Sequence, residues 1–173
     1  AVAGSIPIVK ILRESLSSNK ISCVAGIING TTNYILSEMA VSERSFSDIL
    51  SEAQELGFAE ADPTFDIEGI DAGHKLVILA SLAFGIPLSL DELCVEGMSQ
   101  ISIADLNFAN ELGYKIKHLA LARLVDERLE LSVHPALISE THLISRVDGV
   151  GNAIFIQGDP SGETLLCGAG AGA

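Results

Sequence analysis

An α+β fold, with a mixed or antiparallel sheet and helices packed on one face, is what this 173-residue sequence predicts. Three observations carry that expectation. Apolar residues recur at helical spacing through the first two-thirds of the chain. The last third changes to short strand-like runs separated by turn residues, and a single strand-like run stands early. Helices mostly first and strands mostly last suit a sheet covered by helices better than alternating strand–helix units.

The elements follow in order. Ile8, Ile11, Leu12 and Leu16 keep helical spacing after Pro7, which suits a first turn. Residues 21–28 form an apolar run rich in Val and Ile, closed by Asn29-Gly30, and predict a buried strand. Thr31 or Thr32 can cap a helix over residues 33–39. Ser47 or Ser45 caps another, with Ile49, Leu50, Ala53 and Leu56 on one face and Gly57 as its stop. Pro63 precedes a long predicted helix over residues 65–84, ended by Gly85 and Pro87. Its second half, apolar all round from Leu76, predicts burial. A shorter helix is expected over residues 104–112, stopped by Gly113. Strands are expected over 114–124, 128–133, 150–157 and 163–166, with turns at Asp126-Glu127 and at Asp159-Pro160-Ser161-Gly162.

Composition narrows the function. With 48% hydrophobic residues the chain is not disordered, and its length fits one domain. A formal net charge of -13 argues against nucleic acid, because phosphates need a basic surface, and against anionic membranes. The longest charge-free apolar stretch, residues 76–90, is interrupted by Gly85 and Pro87 and is short of the roughly 20 residues a membrane span needs. Cys23, Cys94 and Cys167 are odd in number and far apart. They predict reduced thiols, with Cys23 and Cys167 buried, in a cytoplasmic protein. The small-residue ends, A-V-A-G-S-I-P and G-A-G-A-G-A, suggest a middle domain joined at both ends to another.

The charge distribution points to a site. Between Ser45 and Tyr114 there are 13 acidic residues and one cation, Lys75. On a continuous helix Glu68, Asp71 and Lys75 share a face. Taken as spacing alone, that is a helix ion pair worth about 0.2–0.5 kcal/mol. However, Lys75 directly precedes the most apolar run in the chain, which predicts a buried stem with the head among carboxylates. A sheltered amine among carboxylates is a candidate proton-transfer group. Burial lowers a lysine pKa and neighbouring carboxylates raise it, so the two effects oppose.

Other chemistries find no support. Asp66-Ile67-Glu68-Gly69 breaks the spacing of a helix-loop-helix calcium loop, and His74 has no second His at ligand spacing for zinc. His118, His134 and His142 lie in apolar or loop contexts. The chain has neither a G-x-S-x-G elbow nor a phosphate-binding Walker loop.

The run A-Q-E-L-G-F-A-E-A-D-P-T-F-D-I-E-G-I-D-A-G-H-K, Ala53 to Lys75, resembles the signature of the homoserine dehydrogenase family at Ala53, Gly57, Asp62, Pro63, Asp66, Gly69, Asp71 and Lys75. A-G-S-I-P near the start, G-I-I-N-G-T-T-N-Y from Gly26 and the G-A-G-A-G-A tail also match, so the resemblance covers essentially the whole chain. It implies that residues 1–173 are the catalytic domain, for substrate binding and oligomerisation, normally inserted in a Rossmann-type nucleotide-binding domain. The G-x-G-x-x-G turn of that second domain is not in the chain.

The activity implied is interconversion of L-homoserine and L-aspartate 4-semialdehyde with NAD or NADP, in threonine, methionine and isoleucine biosynthesis, by a cytoplasmic homodimer. By the same resemblance Lys75 is the acid/base, Glu60 holds the substrate ammonium, and Asp66 and Asp71 line the substrate pocket. Val2, Gly4 and Ile6 offer carbonyl oxygens to a sodium ion, and Gly172 lies against the cofactor. The family's acidic sodium ligand, just before A-V-A-G, and any regulatory domain are not seen. Two alternatives stay open: an oxidoreductase for another small amino alcohol, or a non-catalytic α+β dimerisation or amino-acid-binding module in which Asp71–Lys75 is only an ion pair.

Overall fold

A computed structural model describes residues 2–170. The chain runs through helix α1 (Ile8–Lys10, continuing as a π-helical turn over Ile11–Ser15), strand β1 (Lys20–Ile27), helices α2 (Gly30–Ser42), α3 (Phe46–Glu55), α4 (Thr64–Ile67) and α5 (Ile70–Phe84), the short strand β2 (Cys94–Val95), helix α6 (Ile103–Glu111), and strands β3 (Tyr114–Val125), β4 (Arg128–Ser139), β5 (Gly151–Asp159) and β6 (Gly162–Ala169). The six strands lie in the order β2-β4-β3-β1-β5-β6. Every pairing is antiparallel except the short β2–β4 contact. The expected α+β class, a mixed sheet with helices on one face, is what forms.

Alternation along the strands creates two unlike faces. On the helical side Val24, Ala120, Ala122, Ile154 and Ile156 meet Ile8 and Leu12 of α1 and Leu76 and Leu79 of α5. Tyr34, Ile35, Met39, Ile49, Ala53, Ile67, Met98 and Leu106 build a second cluster among α2, α3, α4 and α6, which reaches the sheet at Ile116. The opposite face carries Ala25, Ile27, Leu119, Ile138 and Ala153. Among the described residues it is covered by a 3-10 turn, Leu143–Arg146, through Ile144, and by Val147 after it, and Cys23, Leu121, Phe155 and Leu165 remain partly exposed there. Among the described residues no helix is long and apolar enough to cross a membrane.

Several expectations need correction. The helix expected over residues 65–84 is two helices, because Gly69 takes a left-handed φ of +79° between α4 and α5. A side chain there would also press against His118, Val133 and Val95, at 3.0–3.1 Å from its Cβ, so both conformation and space select glycine. The break removes Glu68 from the face shared by Asp71 and Lys75 and lays it beside Gly97. The second half of α5 is buried on one side only: Leu76, Leu79 and Ala80 are buried while Ile78 is 47% exposed.

Asn29, not Thr31 or Thr32, caps α2, accepting from the Thr32 N–H at 2.9 Å, and the helix is longer than expected. Ser45 caps α3, whose Leu56 end faces outward rather than inward. Strand β4 passes the predicted stop at Val133 and continues through Pro135. That is allowed because β2 pairs only with Ser132 and Val133, leaving β4 an edge beyond them, where a missing N–H costs no ladder bond. All three cysteines are free as expected, but Cys94 and Cys167 are exposed and Cys23 is half-buried, so the expected burial fails. Cys167 lies on β6, which pairs only with β5 and forms the sheet edge, so it gains little cover.

Candidate active site

The site forms where β1 ends and α2 begins. The last residues of β1 are sandwiched in the sheet, so the chain leaves the core at Ile28 and turns sharply at Asn29 to start α2. Asn29 is buried and does three things. Its side-chain oxygen caps α2, and its Nδ2 donates to Asp66 Oδ1 at 2.6 Å and to Asp71 Oδ2 at 2.9 Å. One amide thus holds two carboxylates that would otherwise repel each other.

Lys75 stands one helical turn along α5 from Asp71. Its Nζ donates to Asp71 Oδ2 at 2.6 Å and to the Ile28 carbonyl oxygen at 3.1 Å. Both side chains are about one-fifth exposed (22% and 21%), so the ammonium is sheltered but reachable. An ammonium has three N–H donors, and the third remains for a group entering the cleft. That cleft has a volume of about 450 Å³. Asp66, Asp71 and Lys75 line it on one side, and Val150 and Gly170 bring the end of the sheet to it. The start of α2 also faces it through Gly30 and Thr31, adding the positive end of a helix dipole to a site with two carboxylates.

The expected site residues are therefore partly assembled. Lys75, Asp66 and Asp71 converge on Asn29. Glu60 is exposed on the loop after α3, two residues beyond Phe58, which does line the cleft. The Thr31 hydroxyl donates to the Phe58 carbonyl at 2.7 Å and ties that loop to α2. Glu60 itself is anchored by its backbone, whose carbonyl accepts from Gln54 Nε2. Ala3 and Gly4 both take left-handed φ values, and Gly4 packs tightly on the backbone of Ala169 and Gly170. The Ile6 carbonyl already accepts from the Ile8 N–H at 2.8 Å. Gly172 lies outside the described residues. No cluster of three or more His, Cys, Asp or Glu side chains suited to a metal occurs among the described residues.

Asn29 is the residue the sequence reading missed. The signal was present: Asn followed by G-T-T at a strand end is a helix cap with a free amide nitrogen. Its role between two acids was invisible because both lie some forty positions away. Asn29→Ala is expected to lower stability by about 1–2 kcal/mol, through the lost cap and the unbridged carboxylates. Urea unfolding monitors this, and an unchanged midpoint would show that Asn29 holds nothing together.

His118, buried against Gly69, is structural as expected. Its Nε2 pairs with the Glu96 carbonyl at 2.9 Å, and burial pushes its pKa below the usual histidine range. Its ring lies 3.0 Å from where a Cβ on residue 69 would stand.

A sheltered amine paired with a carboxylate in an open cleft has the make-up of an acid–base site. The comparisons name the family. The homoserine dehydrogenase family model matches residues 7–173. The homoserine dehydrogenase of Pseudomonas aeruginosa is 59% identical over 172 residues, covering 99% of this chain and 40% of that protein. That of Neisseria gonorrhoeae is 56% identical over 173 residues, again 40% of its length. The solved homoserine dehydrogenase from Thiobacillus denitrificans superposes with a TM-score of 0.98 at 57% identity, over 100% of this chain and 40% of that one. A hyperthermophilic archaeal homoserine dehydrogenase mutant, solved in complex with NADPH, gives a TM-score of 0.82 at 30% identity, over 99% of this chain and 48% of that one. The chain belongs to the homoserine dehydrogenase family. It spans about 40% of the length of the bacterial relatives it matches.

Proposed function

We propose that this chain is the substrate domain of an NAD- or NADP-dependent oxidoreductase that interconverts L-homoserine and L-aspartate 4-semialdehyde, on the route to threonine, methionine and isoleucine. The observation that carries the reading is the Lys75 ammonium, held by Asp71 and the Ile28 carbonyl with one N–H to spare, inside a cleft of substrate size. The NADPH-bound archaeal relative supports a nicotinamide nucleotide as cofactor.

The chemistry needs what these residues provide. A bound nicotinamide nucleotide supplies hydride transfer. In the reducing direction Lys75 donates its free proton to the substrate's aldehyde oxygen as negative charge develops there; in the oxidising direction the neutral amine takes the hydroxyl proton. Asp71 and the Ile28 carbonyl hold Nζ in place through both directions. Asp66, fixed by Asn29, keeps the cleft acidic toward a substrate that carries an ammonium group.

Glu60, on the rim loop, is the carboxylate assigned to the substrate ammonium. Glu60→Gln is expected to raise KM for homoserine about tenfold or more while leaving kcat nearly unchanged, since charge-assisted hydrogen bonds contribute roughly 1.5–3 kcal/mol. An unmoved KM would take the ammonium role from Glu60. The carbonyl oxygens of Val2, Gly4 and Ile6 are the sodium ligands the family resemblance implies; the Ile6 carbonyl accepts one hydrogen bond, from the Ile8 N–H, and keeps a second lone pair.

We also propose a homodimer in the cytoplasm. The support is the half-covered sheet face, where Cys23, Leu121, Phe155 and Leu165 present an apolar surface that a second copy can bury. The reading as a whole is tested with the full-length protein: reduced nicotinamide should appear with L-homoserine and NAD or NADP, and more slowly with shorter or longer amino alcohols. Homoserine binding without turnover, unaffected by substitution of Lys75, would favour a binding module instead.

A further inference from the structure

A second ion pair, a buried ammonium on a half-exposed carboxylate, lies apart from the Asp71–Lys75 pair. Lys117, on β3, is 2% exposed, among the most buried side chains of its size. All three of its N–H donors are engaged: with Asp148 Oδ1 at 2.7 Å, the Val147 carbonyl at 2.8 Å and Asn33 Oδ1 at 3.2 Å. Asn33, on α2, uses its own Nδ2 on the carbonyls of Val147, Gly149 and Gly151 at 3.0, 2.9 and 3.2 Å. Ser37, one turn further along α2, accepts from the Gly149 N–H at 3.2 Å and donates to the Asn33 carbonyl at 2.7 Å. Every bond from this cluster to a loop lands on residues 147–151, the short run that enters β5.

That run matters because of where it leads. Val150 lines the Lys75 cleft, its carbonyl accepts from the Gly170 N–H at 3.3 Å, and it sits so close to Gly30 that a Cβ there would lie 3.1 Å from the Val150 oxygen. Asn33 is four residues after Asn29, and its N–H donates to the Asn29 carbonyl. One buried ammonium therefore braces two parts of the cleft: the Val150–Gly170 wall, through residues 147–151, and the start of α2, which carries the bridge to Asp66 and Asp71.

We propose that Lys117 is a positioning residue which, through Asn33 and Asp148, sets the spacing between the Val150 wall and the Asp66–Asp71–Lys75 side of the cleft, and so governs affinity for the amino-acid substrate. This rests on the homoserine dehydrogenase reading. Packing alone does not call for a lysine here, since an apolar side chain of similar volume often replaces a buried ion without loss of stability. Burial pushes the Lys117 ammonium below the usual lysine range while Asp148 pulls it back up. What an apolar side chain cannot do is hold a carbonyl, an amide oxygen and a carboxylate at one point.

The test compares Lys117→Met and the milder Ser37→Ala in the full-length enzyme, with KM for homoserine, KM for the nicotinamide nucleotide and kcat measured separately. Lys117→Met should raise the homoserine KM about tenfold and Ser37→Ala about threefold, as small displacements in a binding cleft do. The nucleotide KM should not move, and kcat should stay within about threefold, the pattern left when binding common to the ground and transition states is lost. A purely structural cluster would reduce the yield of active enzyme and its melting temperature without moving KM, and that result overturns the proposal. If Lys117→Met does not fold, Ser37→Ala decides by the same criterion. Failure of the wild-type enzyme to turn over homoserine would overturn the functional reading itself, whereas an active wild type with unmoved variants overturns only this role for Lys117.

Discussion

Lys75→Met in the full-length enzyme should fold normally and lose about two to four orders of magnitude in kcat, the range attributed to a positioned acid–base group. Met matches the lysine stem in length, so the apolar packing at the start of α5 survives. The lost contacts are the bond to Asp71 and the bond to the Ile28 carbonyl, both in a cleft that water reaches. Asp71 keeps its second partner, Asn29. The stability cost should therefore be on the order of 1 kcal/mol, far less than the loss in rate. Substrate KM should change little, because the lysine acts on the reacting oxygen and not on the ammonium end. Steady-state kinetics with a denaturation curve on the same preparation separates these effects. A variant with wild-type kcat would remove Lys75 from the proton path and leave Asp71–Lys75 as a helix ion pair.

The second large effect concerns the 173-residue chain by itself. It should fold, since its core clusters close within the described residues and join both ends of the sequence through β1, β5 and β6. It should nevertheless form no reduced nicotinamide from homoserine above the uncatalysed rate. Dinucleotides bind at the carboxyl ends of parallel strands, over a glycine-rich turn that opens a helix. The one parallel contact among the described residues is the β2–β4 pairing, two residues long, and no such turn follows it. Circular dichroism establishes folding and a nicotinamide absorbance assay establishes turnover. Activity from this chain alone would mean that it binds the nucleotide by itself, and the division of labour between domains would have to be redrawn.

The bulk of the fold and the Asp71–Lys75 pair were legible in the sequence. Asp71 and Lys75 are four residues apart on one helix, and a spacing of that kind survives any packing that keeps the helix. The β3–β4 turn at Asp126-Glu127 and the stops at Gly57, Gly85 and Gly113 were equally readable, because each depends on the conformational range of one or two residues. The split at Gly69 was not. A single glycine inside a helical pattern is tolerated at a cost of about 1 kcal/mol, so it does not by itself mark a break. What decides here is that His118, Val133 and Val95 occupy the space a side chain would need. The outward turn of Leu56 and Ile78 is of the same kind, since periodicity identifies an apolar face without saying how much of it finds a partner.

What the sequence determined by itself, then, is most of the local elements, Lys75 with its neighbouring acid Asp71, and the family signature from Ala53 to Lys75. Tertiary structure alone decided that Asn29 reaches across 37 and 42 positions to hold Asp66 and Asp71 together, and that Lys117 reaches across 84 to meet Asn33. Local conformation is set by neighbours within a turn or two, which the sequence displays in order. A hydrogen bond between distant side chains exists only after the sheet has set the distance between their backbones.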